Sequence, residues 1–156
     1  MKSTCKITGI DPGKHVGIAT ITIDDGKLAT AIRTHEIDGE SLLALEEAIE
    51  LDQPDVVVLE SFALLPAKAR SLSWNGFIPV EVMGAVKLVC QRNDIKLVIQ
   101  TPSQIAPWRK SAIAQKLEKS SWKGTHIRDA VAHALYYAAR NGLIRPPTKE
   151  ANDENI

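Results

Sequence analysis

The segment "KITGIDPGKHVGIA", residues 6–19, decides the fold, because it sets a single carboxylate between two apolar segments. Asp11 follows a short apolar run and directly precedes Pro12 and Gly13. Short runs with β-branched residues on both sides of a Pro-Gly turn predict two strands joined by that turn. An aspartate before Pro-Gly is typical of turns. Asp11 alone therefore does not distinguish a turn residue from a carboxylate held at a strand end for chemistry.

The pattern around this segment predicts an α/β fold. Residues 5–11, 17–24 and 27–36 read as three antiparallel strands, and residues 55–61 and 94–101 as two further, parallel strands. Helices are predicted within residues 38–55, over 77–93, from a cap at Thr101 or Ser103, and over 125–142, with Thr125 as N-cap and Gly142 just past the C-terminus. The expected architecture is a five-stranded mixed sheet flanked by helices.

The composition predicts one soluble domain. A chain of 156 residues is long enough for one substantial core, and we assign residues 1–146 to it and 147–156 to a flexible tail. No apolar run reaches the roughly 18 residues of a membrane span, and no signal peptide is evident. Cys5 and Cys90 lack metal-ligand spacing and are expected to be buried free thiols. We therefore expect a cytoplasmic protein.

The charges are distributed unevenly along the chain although the net charge is zero. Residues 1–60 contain 5 Lys or Arg and 12 Asp or Glu, whereas residues 61–146 contain 13 and 4. An acidic first part and a basic second part suit a nuclease, in which carboxylates hold metal and basic residues hold phosphate. Solvated faces that happen to segregate would give the same counts.

Three carboxylates fall where a metal site could form. Asp11 ends the first predicted strand, Glu60 ends the fourth, and Asp129 lies on the last helix, one turn after His126. Strand ends that lie side by side share one edge of a sheet, where ligand sites form in α/β folds. Crowded carboxylates repel one another unless a hard cation such as Mg²⁺ or Mn²⁺ neutralises them. Two such ions support in-line hydrolysis of a phosphodiester.

The segments "GIDPGKHVGIA", "PDVVVLES" and "HIRDAVAHAL" resemble the RuvC-like Holliday junction resolvases of the ribonuclease H-like superfamily, and most closely their phage and prophage members. The resemblance covers residues 5–140 and includes the order of strands and helices. It implies two divalent metals held by Asp11, Glu60, His126 and Asp129, and a homodimer that cuts four-way junctions to leave 5′-phosphate and 3′-hydroxyl ends. Some family members have Asp at the place of His126, which leaves open a metal ligand or a proton shuttle there.

The last motif allows two alignments with this family. Matching "AHAL" to the family's "ADAL" would give His133 the role of Asp129. We prefer His126 with Asp129, because this pair supplies a carboxylate and keeps the three-residue spacing. His133 is then expected to be a neighbour of the site, or an ordinary core or surface histidine.

The resemblance also implies DNA-binding segments and a dimer helix. The loop after Glu60 and the basic run before the last helix contain candidate DNA contacts: Phe62, Lys68, Arg70, Trp74, Arg109, Lys110, Lys116, Lys119 and Lys123. Contacts to phosphate would position the DNA without reading its sequence. Core packing of the aromatics and a solvated basic face are the alternatives. The helix over 77–93 is expected to form the dimer, or to be buried against the sheet of a monomer.

Two other functions compete with a junction resolvase. The superfamily's metal site also serves forks, flaps and RNA–DNA hybrids, and the fold does not decide among them. A nucleotide-binding module of the actin and sugar-kinase type also has an Asp before a glycine-containing turn. Such modules are much longer and lack an acid on a C-terminal helix, so chain length and Asp129 favour the nuclease.

Overall fold

The computed structural model describes residues 3–29, 31–62, 77–111, 113–115 and 124–145. These residues form a six-stranded mixed sheet with helices on both faces. The strands are β1 (Thr4–Asp11), β2 (His15–Asp24), β3 (Lys27–Leu28), β4 (Arg33–Asp38), β5 (Val56–Glu60) and β6 (Lys96–Gln100). The helices are α1 (Leu42–Asp52), α2 (Ile78–Arg92), α3 (Pro102–Arg109) and α4 (Thr125–Arg140). The expected tail, residues 147–156, lies outside the described residues.

The sheet order is β3-β2-β1-β5-β6, and β4 also pairs with β2. β1 and β2 are antiparallel, whereas β1, β5 and β6 are mutually parallel. The α/β fold class is confirmed, and so is the change from antiparallel to parallel strands. The expected third strand is divided into β3 and β4, which pair with different parts of β2, so the strands number six instead of five. Asp25 and Gly26 form the β2–β3 turn with positive φ values of 48° and 75°.

Alternation along the strands gives the sheet two apolar faces. Ile7, Ile21 and Val58 pack under α4 in one core, while Ile10, three positions after Ile7, and Leu59, one after Val58, pack under α1 and α2 in the other. The strand period of two explains how neighbouring residues enter different cores. Asp11 and Glu60, two positions after Gly9 and Val58, point to the α4 face.

Glycines allow α4 to lie directly on the backbone of β1 and β2. A Cβ atom at Gly9 would collide with the carbonyl oxygen of Ala130, and one at Gly17 with the carbonyl oxygen of His126. Gly17 is also the register partner of Asp11. The absence of two side chains therefore sets the first turn of α4 over the end of β1, and this contact positions the site.

The helix ends agree with the sequence in part. Gln104 accepts a hydrogen bond from the backbone N–H of Thr101 at 2.8 Å, as expected for a cap there. Gly142, with φ of 69°, follows the C-terminal cap of α4 as predicted. The prediction of Thr125 as N-cap is wrong by one residue, because Gly124, with φ of 128°, occupies that place. None of the described helices is long and apolar enough to cross a membrane.

The prediction of two buried free thiols is confirmed for Cys90 and only in part for Cys5. Both are free thiols. Cys90 is buried in the core beneath α2, and burial raises the pKa of its thiol to about 11. Cys5 is only partly buried, because it lies near the start of β1, where the core thins.

Candidate active site

Asp11 and Glu60 lie at adjacent strand ends on the face covered by α4. Their preceding residues, Ile10 and Leu59, are register partners in the parallel β1–β5 pair. Asp11 is 8% exposed, and Glu60 is half-buried. Parallel pairing thus brings together two carboxylates that are 49 positions apart in the chain, as the strand-end argument predicts.

His126, in the first turn of α4, reaches the Asp11 carboxylate. Its Nδ1 is 3.0 Å from Oδ2 of Asp11. The close approach of α4 at Gly17 makes this distance short, because the backbone of His126 lies directly over the strand pair. The imidazole remains partly exposed and lies near the ring of His15, at a centroid distance of 6.1 Å. The sequence prediction placed His126 in this site, and the structure brings it there.

His133, two turns further along α4, contacts the second carboxylate. Its Nε2 is 2.7 Å from Oε2 of Glu60, and its Nδ1 is 2.8 Å from Oε1 of Gln100, the last residue of β6. The side chain is fully buried. His133 is therefore a buried neighbour of the site, which is one of the positions expected for it.

Asp129 projects from the same face of α4 toward α3. Its two carboxylate oxygens accept hydrogen bonds from Nε and Nη2 of Arg109, at 2.7 and 3.1 Å. This bidentate arrangement is the strong form of an arginine–carboxylate pair. Arg109 was expected to contact a DNA backbone, and here its guanidinium is bonded to a predicted metal ligand.

Burial and the charges of nearby groups together change the pKa of Asp11. Burial raises the pKa of Asp11 to about 6, with smaller contributions in the same direction from the charges of Glu60 and Asp129. The hydrogen bond and the charge of His126 lower the pKa and offset part of this rise. A group of like charges in a half-buried setting favours protonation or a bound cation.

The donor chemistry of this site fits a hard divalent ion. Three carboxylates and an imidazole are ligand types found with Mg²⁺ and Mn²⁺, and the unfavourable charge around Asp11 would be relieved by a cation. In the described part of the chain, however, no three His, Cys, Asp or Glu side chains converge on one metal position as they stand. Asp11, Glu60 and Asp129 are instead each bonded to a basic or imidazole side chain.

The structure describes three of the predicted DNA contacts. Phe62 is partly exposed two residues after Glu60, and Lys110 is exposed beside Arg109 at the end of α3. Six other candidates lie outside the described residues: Lys68, Arg70, Trp74, Lys116, Lys119 and Lys123.

No family model matches the chain, and no curated protein matches its sequence. Among solved structures, T. thermophilus RuvC in complex with a Holliday junction superimposes with a TM-score of 0.66 at 17% identity, over 88% of this chain and 97% of RuvC. The chain has a RuvC-like fold.

Two eukaryotic or viral resolvases share the RuvC-like fold at similar coverage. The Fowlpox virus resolvase in complex with junction DNA has a TM-score of 0.58 at 15% identity, over 87% of this chain and 98% of that one. The yeast mitochondrial Holliday junction resolvase Ydc2 has a TM-score of 0.50 at 14% identity, over 89% and 80%. The likeness to phage members stays a prediction.

Sequence reasoning missed two groups of this site. Gln100 was not a candidate, although it ends β6 as Glu60 ends β5 and the two are register partners. The pairing of Arg109 with Asp129 was also missed, because α3 and α4 are adjacent only in the folded chain. A polar residue at the end of every parallel strand was the available signal for Gln100.

Proposed function

We propose that this protein is a metal-dependent endonuclease that cleaves branched DNA, most specifically four-way junctions. The observation that carries the proposal is that Asp11 and Glu60 end adjacent parallel strands beneath α4, the helix that carries His126 and Asp129, and that His126 reaches Asp11. The proteins of similar fold include RuvC and the Fowlpox virus resolvase, each solved with Holliday junction DNA. The junction DNA bound in these two complexes supports the choice of substrate.

In this proposal Asp11, Glu60, Asp129 and His126 hold two divalent ions. When bound, Mg²⁺ or Mn²⁺ would supply Lewis-acid activation of the scissile phosphate and of the attacking water. Asp11, which both neighbouring carboxylates repel, has the most to gain from a nearby cation. His126 is partly exposed and contacts Asp11 through Nδ1, so its imidazole would serve as a metal ligand or as a proton shuttle. Hydrolysis in this class leaves 5′-phosphate and 3′-hydroxyl ends.

The basic second part of the chain is proposed to hold the DNA backbone. Arg109 ends α3 and contacts Asp129, and Lys110 is the next residue, so phosphates bound at this end of α3 would lie close to Asp129. Lys110 is exposed and Arg109 is partly exposed, which leaves both able to reach a duplex. Contacts of this kind fix the register of the substrate without sequence preference.

Cleavage of labelled substrates tests the proposal. A four-way junction, a fork, a linear duplex and an RNA–DNA hybrid are incubated with the full chain in Mg²⁺ or Mn²⁺, with Asp11→Asn as the control. We expect paired incisions in the junction and no cleavage by Asp11→Asn. Equal cleavage of all four substrates would contradict junction selectivity, and undiminished cleavage by Asp11→Asn would contradict the assigned site.

We also propose that two copies associate through α2. Val80, Gly84 and Leu88 form an exposed stripe at spacing i, i+4 and i+8. Among the described residues, a Cβ at Gly84 would meet no atom within 4 Å, so packing against them does not require a glycine there. A small residue between two exposed apolar ones suits close contact with a second helix. A two-fold dimer would present two sites for paired incisions.

Sedimentation of Leu88→Glu tests this interface. Leu51, on α1, is 59% exposed and Leu88 is 55% exposed, so Leu51→Glu is a matched control. We expect Leu88→Glu to shift the protein toward monomer and to uncouple the two incisions, while Leu51→Glu leaves the mass unchanged. A wild-type protein that stays monomeric at high micromolar concentration would contradict the dimer.

A further inference from the structure

Side-chain hydrogen bonds link Glu60 of β5 to His133 of α4, and His133 to Gln100 of β6. Glu60 and Gln100 are register partners at the ends of β5 and β6, and the ring of His133 from α4 joins their side chains at 2.7 and 2.8 Å. The strand ends are also tied through the backbone, because the N–H of Ser61 donates to the carbonyl of Gln100 at 2.7 Å. Both His133 and Gln100 are buried, so neither bond is lost to competing water.

The chemistry of the three groups defines which atom donates. An ionised Glu60 only accepts hydrogen bonds, so His133 donates its Nε2–H to Oε2. Nδ1 then faces the Gln100 amide, which carries both an acceptor oxygen and a donor nitrogen. The amide accepts from Nδ1–H in one orientation and donates to a bare Nδ1 when rotated by 180°. The donor to Glu60 is therefore kept in either protonation state of the ring.

Glu60 needs a fixed donor because of its neighbour. Asp11 ends the adjacent parallel strand, and the two like charges repel each other. A glutamate has three rotatable side-chain bonds, and repulsion would turn its carboxylate toward water. The bond from His133 opposes this rotation and occupies Oε2, which leaves Oε1 with no described bond.

We propose that His133, oriented by Gln100, is a positioning residue that holds the Glu60 carboxylate toward Asp11 for divalent-metal binding. This inference rests on the proposed function, because it assigns Glu60 as a metal ligand. Hydrogen-bond partners of metal-binding carboxylates typically change metal affinity by about 10- to 100-fold when they are removed. A histidine that merely filled the core would change folding stability and leave the affinity of the folded protein unaltered.

Two near-isosteric substitutions separate these roles. His133→Gln keeps an amide N–H near the place of Nε2 and so preserves the donor to Glu60, whereas His133→Asn reaches only the place of Nδ1. The dissociation constant of Mn²⁺ is measured by calorimetry on the full chain without DNA. We expect His133→Asn to weaken binding about 10-fold or more and His133→Gln to remain within about threefold of the wild type.

Further variants keep the inference testable if His133→Asn folds poorly. Gln100→Met preserves volume but removes the orienting amide, and we expect it to weaken Mn²⁺ binding by about three- to tenfold. His35→Asn, on the opposite face of the sheet, is the control and should not alter the affinity. Unchanged affinity in both His133→Asn and Gln100→Met, or equal weakening by His133→Asn and His133→Gln, would overturn the inference.

The experiments distinguish a failure of the positioning role of His133 from a failure of the proposed nuclease function. If Asp11→Asn abolishes junction cleavage while every His133 and Gln100 variant binds Mn²⁺ like the wild type, the nuclease stands and the positioning role falls. If Asp11→Asn neither binds less Mn²⁺ nor cleaves less, the proposed function itself falls. A saturating Mn²⁺ concentration should restore the cleavage rate of His133→Asn more than that of Asp11→Asn.

Discussion

Two buried aspartates on opposite faces of the sheet have opposite surroundings. Asp52, at the end of α1, is 1% exposed and accepts hydrogen bonds from Oγ1 of Thr20 at 2.6 Å and Nε2 of His35 at 3.2 Å. Nε of Arg33 lies 3.2 Å from the same carboxylate. Asp11 accepts a bond from His126, but it also faces the negative charges of Glu60 and Asp129.

The difference separates a structural carboxylate from a functional one. Asp52 is surrounded by donors, and Thr8 extends its network through Thr20 at 2.6 Å. Such a satisfied buried group ties α1 to β2 and β4, and nothing around it calls for a ligand. Burial destabilises the ionised form of Asp11, and the like charges of Glu60 and Asp129 add to this effect. Unfavourable electrostatics of this kind are common where proteins bind ions or perform chemistry.

The largest expected difference is in cleavage. Asp11→Asn should reduce the rate of junction cleavage by about 100-fold or more, because it removes a proposed metal ligand. Asp52→Asn should leave the rate of the folded fraction within about threefold, because Asp52 lies under α1, on the face away from the site. Single-turnover rates with circular dichroism as a folding control measure both. Equal losses in the two variants would remove the distinction between them.

The second difference is in the pH dependence of stability without metal. The pKa of Asp11 in the folded protein, about 6, lies above the ordinary value of 3.8, so ionisation favours the unfolded chain. The stability contributed by protonated Asp11 is complete below pH about 4 and is lost as the pH rises through about 6. Asp11→Asn should therefore gain up to about 2–3 kcal/mol over the wild type across this window.

Urea denaturation in EDTA at several pH values measures this gain. The same series on Asp52→Asn serves as the comparison, since that variant should show no stabilisation at high pH. A difference between Asp11→Asn and the wild type that stays constant from pH about 4 to about 7 would mean that Asp11 has no raised pKa.

The third difference is in the folding stability that is lost when the Asp52 carboxylate is removed. Asp52→Asn should lower the free energy of unfolding by about 2 kcal/mol, because hydrogen bonds to a charged group are weakened while Thr20 stays buried. Asp11→Asn at neutral pH should shift in the opposite direction. Chemical denaturation at pH 7 in EDTA measures both, and a stabilised Asp52→Asn protein would show that its ionised form is not needed for the fold.

The smallest expected effect tests the network around Asp52. Thr20→Val preserves shape and strand propensity but removes both hydrogen bonds of the Thr20 hydroxyl, to Asp52 and to Thr8, each 2.6 Å long. We expect a loss of about 1 kcal/mol of folding stability and unchanged cleavage. Thr22→Val, on the same strand and face, is the matched control and should be nearly neutral. Equal losses of folding stability in the two variants would mean that replacing threonine in this strand is destabilising by itself, and that the hydrogen bonds of Thr20 contribute nothing further.

Local patterns predicted most of the fold. Apolar runs and the turns "DPG" and "DDG" located β1, β2 and the buried strand β5, and helical spacing located α1, α2 and α4. The third strand was predicted as one because its sequence contains no strong break, whereas β2 pairs with its two ends separately. The N-cap of α4 was misplaced by one residue because Gly124 and Thr125 are both acceptable caps.

The candidate site was predicted by residue type and not by partner. Asp11, Glu60, His126 and Asp129 were chosen because acids at strand ends and on one helix face can meet. The sequence did not distinguish Asp52 from its acidic neighbours on α1, and nothing local marks it as buried. It also did not show that Arg109 binds Asp129 or that Gln100 and His133 hold Glu60.

The sequence by itself determined which elements form and which carboxylates end them, because turn chemistry and hydrophobic period act over a few neighbouring residues. Only the tertiary structure decided the partners of each carboxylate. Asp11 and His126 are 115 positions apart, and they meet because Gly9 and Gly17 let α4 lie against the backbone of β1 and β2. Burial and like charge then act through space, which no pattern along the chain records.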